Sequence, residues 1–541
     1  MAATLPLIAD VAIVGAGVCG LALARALHMQ GCSVVIVEAR ERLGGRVLTQ
    51  ACDLTGQALD LGATWFWPDT EPRITALLAE LGLAGVPQHD PGEALRLTDP
   101  NREPQRREEP GGVHAGAHRI AGGAARLVEA LAAPLPPGCV RTGSALRLLR
   151  DRGAWLELQL EGQGGASLLR ARRAVLALPP RLVKERIAFD PPVPAALADA
   201  MATTPTWMAA QAKVVTSYAQ PFWRAAGHSG NAFVRHAQAM LAEVFDAGDE
   251  GTGAGALGGF VALDAAQRVN FRRGMAMLIE SQLAQLYGVR AQQGGRQHLQ
   301  DWALEGWTCS DADRDSPPEP PQADPALRRA YWTGRLYFGG SESAAHGTGH
   351  MEGALEAAAR IARALAPAAP ARAHDSAAAG TGDVVDEFAA MVSAARERAP
   401  SQYRRHLTRL LSGQQAQQLT QRALLATVEQ VYSETLAALE GLLPVRGGDK
   451  AEPVQAGRHA LTPRLLAAFE GWNAHLLSFA LAFNGASCAL SNFPDEHQPD
   501  PQLQRAIALD LAAAWREFAL ELNARLLAAR AEAQPVPEPA Q

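Results

Sequence analysis

Three glycines raise the first chemical possibility. Gly15, Gly17 and Gly20 stand in the order G-x-G-x-x-G. Such a turn reverses the chain tightly at its first glycine, lets a pyrophosphate approach the backbone at its second, and lets the following helix close on the strand at its third. The free N–H groups of that helix start would face the phosphates. Glu38, 23 residues beyond Gly15, is placed to accept from both hydroxyls of a ribose. The run Glu38-Ala39-Arg40-Glu41-Arg42-Leu43-Gly44-Gly45-Arg46 then adds two adjacent glycines and three arginines. A nicotinamide dinucleotide needs no such extension. A flavin diphosphate would use the backbone at Gly45 and the guanidinium groups of Arg40 and Arg46. The plain alternatives are a glycine turn without ligand and a solvated basic turn.

Elements that would position these groups are legible around them. Asp10–Gly15 is a short apolar run suited to a buried parallel strand. Leu21, Leu23, Ala24 and Leu27 carry a helical pattern that stops at Gly31, and Val34–Val37 gives a second strand ending at Glu38. This is one βαβ unit of the Rossmann type. Asn101–Pro110 is charged and reads as a solvated loop. Composition changes at Ala366–Asp383, where Ala, Pro and Gly dominate and apolar periodicity ends, so this segment reads as a linker. Beyond it the pattern is helical. Leu425, Val428, Tyr432, Leu436 and Leu439 step by three or four. Thr462-Pro463 starts a helix with Leu466, Phe469, Trp472, Leu476, Phe479 and Phe483 on one face.

Bulk properties narrow the classes further. The 541 residues are 48% hydrophobic with a net charge of −6, enough for several buried cores and without the basic excess that neutralises a nucleic-acid backbone. Nucleic acid is therefore not an expected partner. The apolar run near Leu476–Leu490 is interrupted by Asn484 and Gly485 and falls short of the ~20 residues of a membrane span. The N-terminal residues lack a secretory pattern, and six cysteines, at 19, 32, 52, 139, 309 and 488, form no C-x-x-C pair. The expectation is a soluble, cytoplasmic enzyme without a metal site.

Four landmarks in order make the chain resemble the flavin-containing amine oxidases, the family of monoamine and polyamine oxidases. They are Gly15 through Arg46; Leu59-Asp60-Leu61-Gly62-Ala63-Thr64-Trp65; Lys213 ahead of Pro221-Phe222-Trp223; and Leu336–Ala354. Arg119–Gly123 and Ala174–Pro180 also suit the pattern. The resemblance covers residues 10–366. It implies an FAD-binding domain from residues 1–75, 115–185 and 320–366, interleaved with an α+β substrate domain from 76–114 and 186–319. A linker at 367–383 and an all-helical domain at 384–541 would follow.

The resemblance also implies roles. FAD would lie with its adenine end at Glu38 and Ala39 and its ring system near Gly62, Ala63, Thr64, Trp65, Lys213 and His350. Lys213 would favour the reduced flavin and assist electron transfer to dioxygen; otherwise it is a surface lysine on an amphipathic strand. Glu342 and Met351 would contact the cofactor, the latter from a helix start. In the monoamine oxidases a cysteine binds flavin covalently and two tyrosines frame the amine. Here the attachment position falls near Asp311, two residues from Cys309, so noncovalent FAD is expected. The cage positions fall near Ala312 and at His350, leaving Trp302, Trp307 and His350 as candidate pocket walls; core packing for the tryptophans and helix capping for the histidine are the plainer readings.

The function implied is oxidation of an amine to an imine by hydride transfer to flavin, with dioxygen reduced to hydrogen peroxide. The alternatives are an FAD-dependent desaturase or porphyrinogen-type oxidase, and a flavin-binding scaffold whose tail docks a partner. The apolar stripes of the tail read first as a packed bundle. A homodimer contact or a protein partner through that tail are the sharper readings.

Overall fold

The computed structural model describes residues 9–109, 112–114, 116–249, 253–315, 321–322, 324–365, 381–412, 418–442, 454–455, 458–486, 494–497 and 499–532. The chain divides into two compact units, Met1–Pro370 and Ala371–Gln541.

Two large sheets and two small ones build the first unit, among the described residues. Strand β1 (Ala9–Val14) leads through helix α1 (Val18–Met29) to strand β2 (Val34–Val37), which lies parallel to it with Val11 opposite Val34. Val140–Arg141 extends the parallel sheet beyond β2. On the other side β1 pairs with the long Gly165–Leu176 strand, which also takes Leu336–Phe338 in parallel. The early half of Gly165–Leu176 pairs with Leu156–Gly162 in an antiparallel arm. Parallel strands here are buried on both faces, which is why Val11–Val14 of β1 and Val34–Val37 of β2 read as unbroken apolar runs. Leu21, Leu23 and Leu27 of α1 pack with Leu355, Ala358 and Ile361 of the Met351–Leu365 helix in the largest apolar cluster of this unit.

The second sheet has seven strands in the order Arg296–Asp301, Ala212–Tyr218, Gly255–Val261, Leu241–Asp246, His228–Val234, Glu93–Leu97 and Gln105–Arg107. The Ala212–Tyr218 strand is buried along its whole length. Because side chains alternate across a strand, Ala212, Val214 and Tyr218 join the cluster that holds Ile279 and Leu283 of the Met275–Tyr287 helix. Val215 instead joins Leu59, Leu61 and Phe245. Lys213, of the same parity as Val215, therefore faces the Leu59–Trp65 segment.

The solvated loop expected at Asn101–Pro110 is corrected in part: Gln105–Arg107 is an exposed edge strand paired with Glu93–Leu97. Three consecutive polar residues carry no alternation, so nothing in the pattern could reveal it.

Most of the expected linker, residues 366–380, lies outside the described residues, while a helix already begins at Thr381. The second unit holds long helices at Thr381–Ser412, Leu419–Leu442, Trp472–Ala486 and Pro501–Glu532. One expectation is revised. The helix starting at Thr462 ends after one turn, and the chain passes through Gly471 at φ +69° before a new helix starts at Trp472. The i, i+3 spacing survives because both pieces bury into one core, where Tyr432 stacks on Phe518 at 4.3 Å and meets Phe469 and Trp472 edge-on. Tyr403, Asn484, Thr420 and Glu496 form a buried hydrogen-bonded chain in the same bundle. No described helix is long and apolar enough to cross a membrane.

Candidate active site

A cleft with about 1110 Å³ of empty space runs past the end of β1. Its wall includes Gly15, Gly17, Glu38, Ala39, Arg40, Gly45, Arg46, Ala63, Glu342, His350 and Met351. These are eleven of the residues singled out from the sequence, drawn together from three separate stretches of chain.

The three glycines of the turn differ in what they require. A Cβ at Gly15 would stand 2.5 Å from the Ala177 carbonyl oxygen, and φ there is +103°. A Cβ at Gly20 would stand 1.9 Å from the Gly15 carbonyl oxygen. Both glycines are demanded by the fold itself. Gly17 is not: its φ is −77° and the nearest neighbour to an added Cβ is Gly44 O at 4.0 Å. Open space on the cleft side of a helix N-terminus fits a diphosphate lying against the Gly17 backbone. Gly62, by contrast, is explained by packing, since its Cβ would sit 2.0 Å from the Arg46 carbonyl oxygen.

Glu38 is 5% exposed at the end of β2. Its Oε2 accepts from Ala16 N at 2.8 Å and its Oε1 from Arg40 N at 2.9 Å. Two amide bonds fix the carboxylate while leaving lone pairs for ribose hydroxyls. Arg40 borders the cleft, and its guanidinium bonds Glu305 at 3.1 Å and Thr308 Oγ1 at 2.7 Å, tying the β2 end to the 302–308 segment. Arg46 is held between Trp207 O, Ser341 Oγ and Glu342, with Nη1 2.6 Å from Glu342 Oε1 and Nη2 2.9 Å from Oε2. Glu342 is fully buried and still borders the cleft. The pair thus closes the cleft floor as a bidentate ion pair. Arg46→Met strands that carboxylate and is expected to cost about 3–5 kcal/mol in denaturant unfolding, most of it recovered in Arg46→Met/Glu342→Gln. A single variant within 1 kcal/mol of wild type would contradict the pair's role.

Lys213 is 3% exposed, so it is no surface lysine. Its Nζ donates to Gly62 O at 3.1 Å and to Thr64 Oγ1, the residues on either side of cleft-lining Ala63. Trp65, Phe245 and Phe260 surround it, their ring centres 5.3–5.9 Å from Nζ. Burial among these rings pushes the Lys213 amine down to about 8, against the pull of Asp60. Trp65 is itself anchored, donating to Gln88 Oε1 at 2.8 Å and stacked on His114 at 4.9 Å.

Trp302 is buried and donates to Leu61 O at 3.0 Å, which makes it packing beneath the Leu59–Trp65 segment. Trp307 lines the cleft, with the guanidinium groups of Arg186 and Arg147 over its ring at 4.9 and 5.6 Å, and it also borders a depression shared with Ala39, Arg40 and Gly143. That is the Glu38 end, so it is not placed to wall a pocket at Lys213. Asp311 is 86% exposed and Cys309 buried, its thiol pushed up to about 11 by burial. His350 does border the cleft and is bound to a residue the sequence reading passed over. Its Nδ1 lies 2.7 Å from Glu71 Oε1.

Residues 105–366 match the family model for flavin containing amine oxidoreductase, and residues 13–81 match that for an NAD(P)-binding Rossmann-like domain. The fold and these matches define a flavin-dependent oxidoreductase. Over residues 105–366 the α/β unit is similar to the flavin containing amine oxidoreductases. Putrescine oxidase of Kocuria rosea is 26% identical over 355 residues, covering 47% of this chain and 73% of that protein. Amine oxidase [flavin-containing] B of Sus scrofa is 23% identical over 455 residues, covering 65% and 85%. Among solved structures, wild-type putrescine oxidase bound to putrescine superposes with a TM-score of 0.53 at 23% identity, covering 66% of this chain and 98% of that one. Cyclohexylamine oxidase from Brevibacterium oxydans IH-35A gives 0.53 at 21% identity, covering 66% and 98%. These likenesses establish the fold of the first unit.

Proposed function

We propose that this chain oxidises an amine at a noncovalently held FAD, releasing an imine that water converts to an aldehyde or ketone, with dioxygen reduced to hydrogen peroxide. The observation that carries the reading is Lys213, a buried cation bonded to both neighbours of Ala63 on the cleft wall. The part of the unit around the parallel sheet would hold the cofactor, and the seven-stranded sheet would bring Lys213 and the substrate to it. The chemistry a bound flavin supplies is acceptance of a hydride equivalent from the carbon beside the amine and return of the electrons to dioxygen.

The protein's own residues do the rest. Gly17 and the start of α1 would receive the diphosphate, and Glu38 the ribose. Arg46 and Glu342 fix the floor between them. Lys213 holds positive charge where negative charge develops, in surroundings that exclude water and so strengthen its effect. The aromatic wall of Trp65, Phe245 and Phe260 keeps that region apolar, which favours a neutral amine over an ammonium. Cys19 is a cysteine on the cleft wall, but its thiol accepts from Gly340 N at 3.1 Å and burial pushes it up to about 11, a poor nucleophile for a covalent link. The five described cysteines are all unpaired, which suits a reducing, cytoplasmic setting.

Aerobic assays with purified protein test the two finer claims together. Acid precipitation should leave all the flavin in the supernatant, and amine turnover should release one peroxide per carbonyl product. Flavin that stays with the precipitate would overturn noncovalent binding. Carbonyl product without peroxide would overturn dioxygen as the acceptor.

A further inference from the structure

His350 and Glu71 are 279 residues apart in sequence and 2.7 Å apart in space. Glu71 is the residue before the Pro72–Glu80 helix, and its carboxylate is only 5% exposed. One oxygen accepts from Trp67 N at 2.9 Å and the other faces His350 Nδ1. His350 is the residue before the Met351–Leu365 helix, with Ala354 N bonded to its carbonyl. The two helix starts are locked reciprocally, because Glu352 of the second accepts from Arg73 and from Ile74 N of the first. Capping alone is done by Glu352 and by the His350 carbonyl, so neither explains a buried carboxylate on an imidazole. The Trp67 ring, 5.9 Å from the imidazole and tilted by 33°, fixes its plane.

We infer that His350 is the base that takes the proton from the substrate's ammonium group, and that Glu71 is its positioning residue. This rests on the amine-oxidising reading above. With Nδ1–H donated to Glu71, Nε2 is the nitrogen left with a lone pair, and His350 lines the cleft with its side chain one-third exposed. An amine arrives in neutral water as an ammonium ion, whereas hydride loss from its carbon needs the nitrogen lone pair. The N–H bond of the ammonium breaks, its electron pair stays on the amine nitrogen, and the proton joins Nε2. The resulting imidazolium is stabilised by the Glu71 carboxylate. Of the charged groups on the neighbouring elements, Arg73 is paired with Glu352 and Arg46 with Glu342.

The test is anaerobic flavin reduction by putrescine, cyclohexylamine and benzylamine across pH, with flavin content as the control for folding. His350→Gln should slow reduction at pH 7 by about 10²-fold or more. The deficit should shrink as pH rises past the amine's own pKa, where free amine needs no base. Glu71→Gln should slow reduction at pH 7 in the same sense as His350→Gln, and the double variant should lose no more than His350→Gln alone, because Glu71 acts only through the imidazole. Histidine ¹⁵N spectra of the unaltered FAD-loaded protein give a readout independent of turnover, and should show one imidazole protonated at Nδ1 and bare at Nε2 whose signal Glu71→Gln shifts. A deficit of equal size at every pH, an additive loss in the double variant, or an Nδ1 without proton would each overturn the inference. If none of the amines reduces wild-type flavin, the amine-oxidising reading itself falls.

Discussion

Lys213→Met leaves anaerobic reduction of the flavin by an amine within a few fold of wild type but slows reoxidation in air by about 10²-fold or more, the scale on which removing one preorganised electrostatic contact acts. Methionine matches the length of lysine and suits the ring of Trp65, Phe245 and Phe260, so the site keeps its shape. What is lost is a charge whose desolvation the fold sustains through Gly62 O and Thr64 Oγ1. The amine is held down to about 8, so it is protonated below that pH and neutral above it. Reoxidation by wild type is therefore expected to decline as pH rises through about 8, and the methionine variant to lack that limb. Stopped-flow mixing of reduced enzyme with aerated buffer reads both. Equal reoxidation rates in the two proteins would show that the cation plays no part.

The glycine turn gives the second large effect, and its two ends should fail in opposite ways. Gly17→Val places a side chain in open cleft space at an ordinary φ, so the unliganded protein should fold and melt like wild type. The same side chain occupies the place of the diphosphate, and about 1–3 kcal/mol of overpacking lowers FAD affinity by about 5- to 150-fold. Gly20→Ala drives a Cβ to 1.9 Å from the Gly15 carbonyl oxygen and must part α1 from β1. That variant should lose thermal stability before any question of cofactor arises. Flavin titration and thermal melts of both proteins separate the cases. Wild-type FAD affinity in Gly17→Val would place the diphosphate elsewhere.

The parts of this molecule legible from sequence are the local ones. The β1–α1–β2 unit needs only an apolar run, a helical stripe and glycines at fixed offsets, all within 30 residues. Lys213 was legible through the segments that flank it, and alternation along its strand carries it to the Leu59–Trp65 side. Pairings across the chain left no such trace. Arg46 and Glu342 were both assigned to the cofactor, yet each also neutralises the other, and 296 residues separate them. Glu71 was passed over because a carboxylate before a proline reads as an ordinary helix start; only folding reveals its histidine. Trp307 carries no sign in its sequence neighbourhood that Arg147 and Arg186 would hold it at the Glu38 end. In the second unit the apolar stripe was real, but a stripe cannot report the break at Gly471.

The helical unit lies beyond the residues that match the family, and its aromatic core accounts for the tail's apolar stripes. The central claim therefore rests on the first unit, and the most direct measurement is the absorbance of the bound flavin under strict anaerobiosis as primary, secondary and diamine substrates are added one at a time. Amine oxidation at this cleft requires that at least one class bleach the flavin fully, with stoichiometric imine or carbonyl product. A flavin that stays oxidised with every amine, yet bleaches with dithionite, would contradict it.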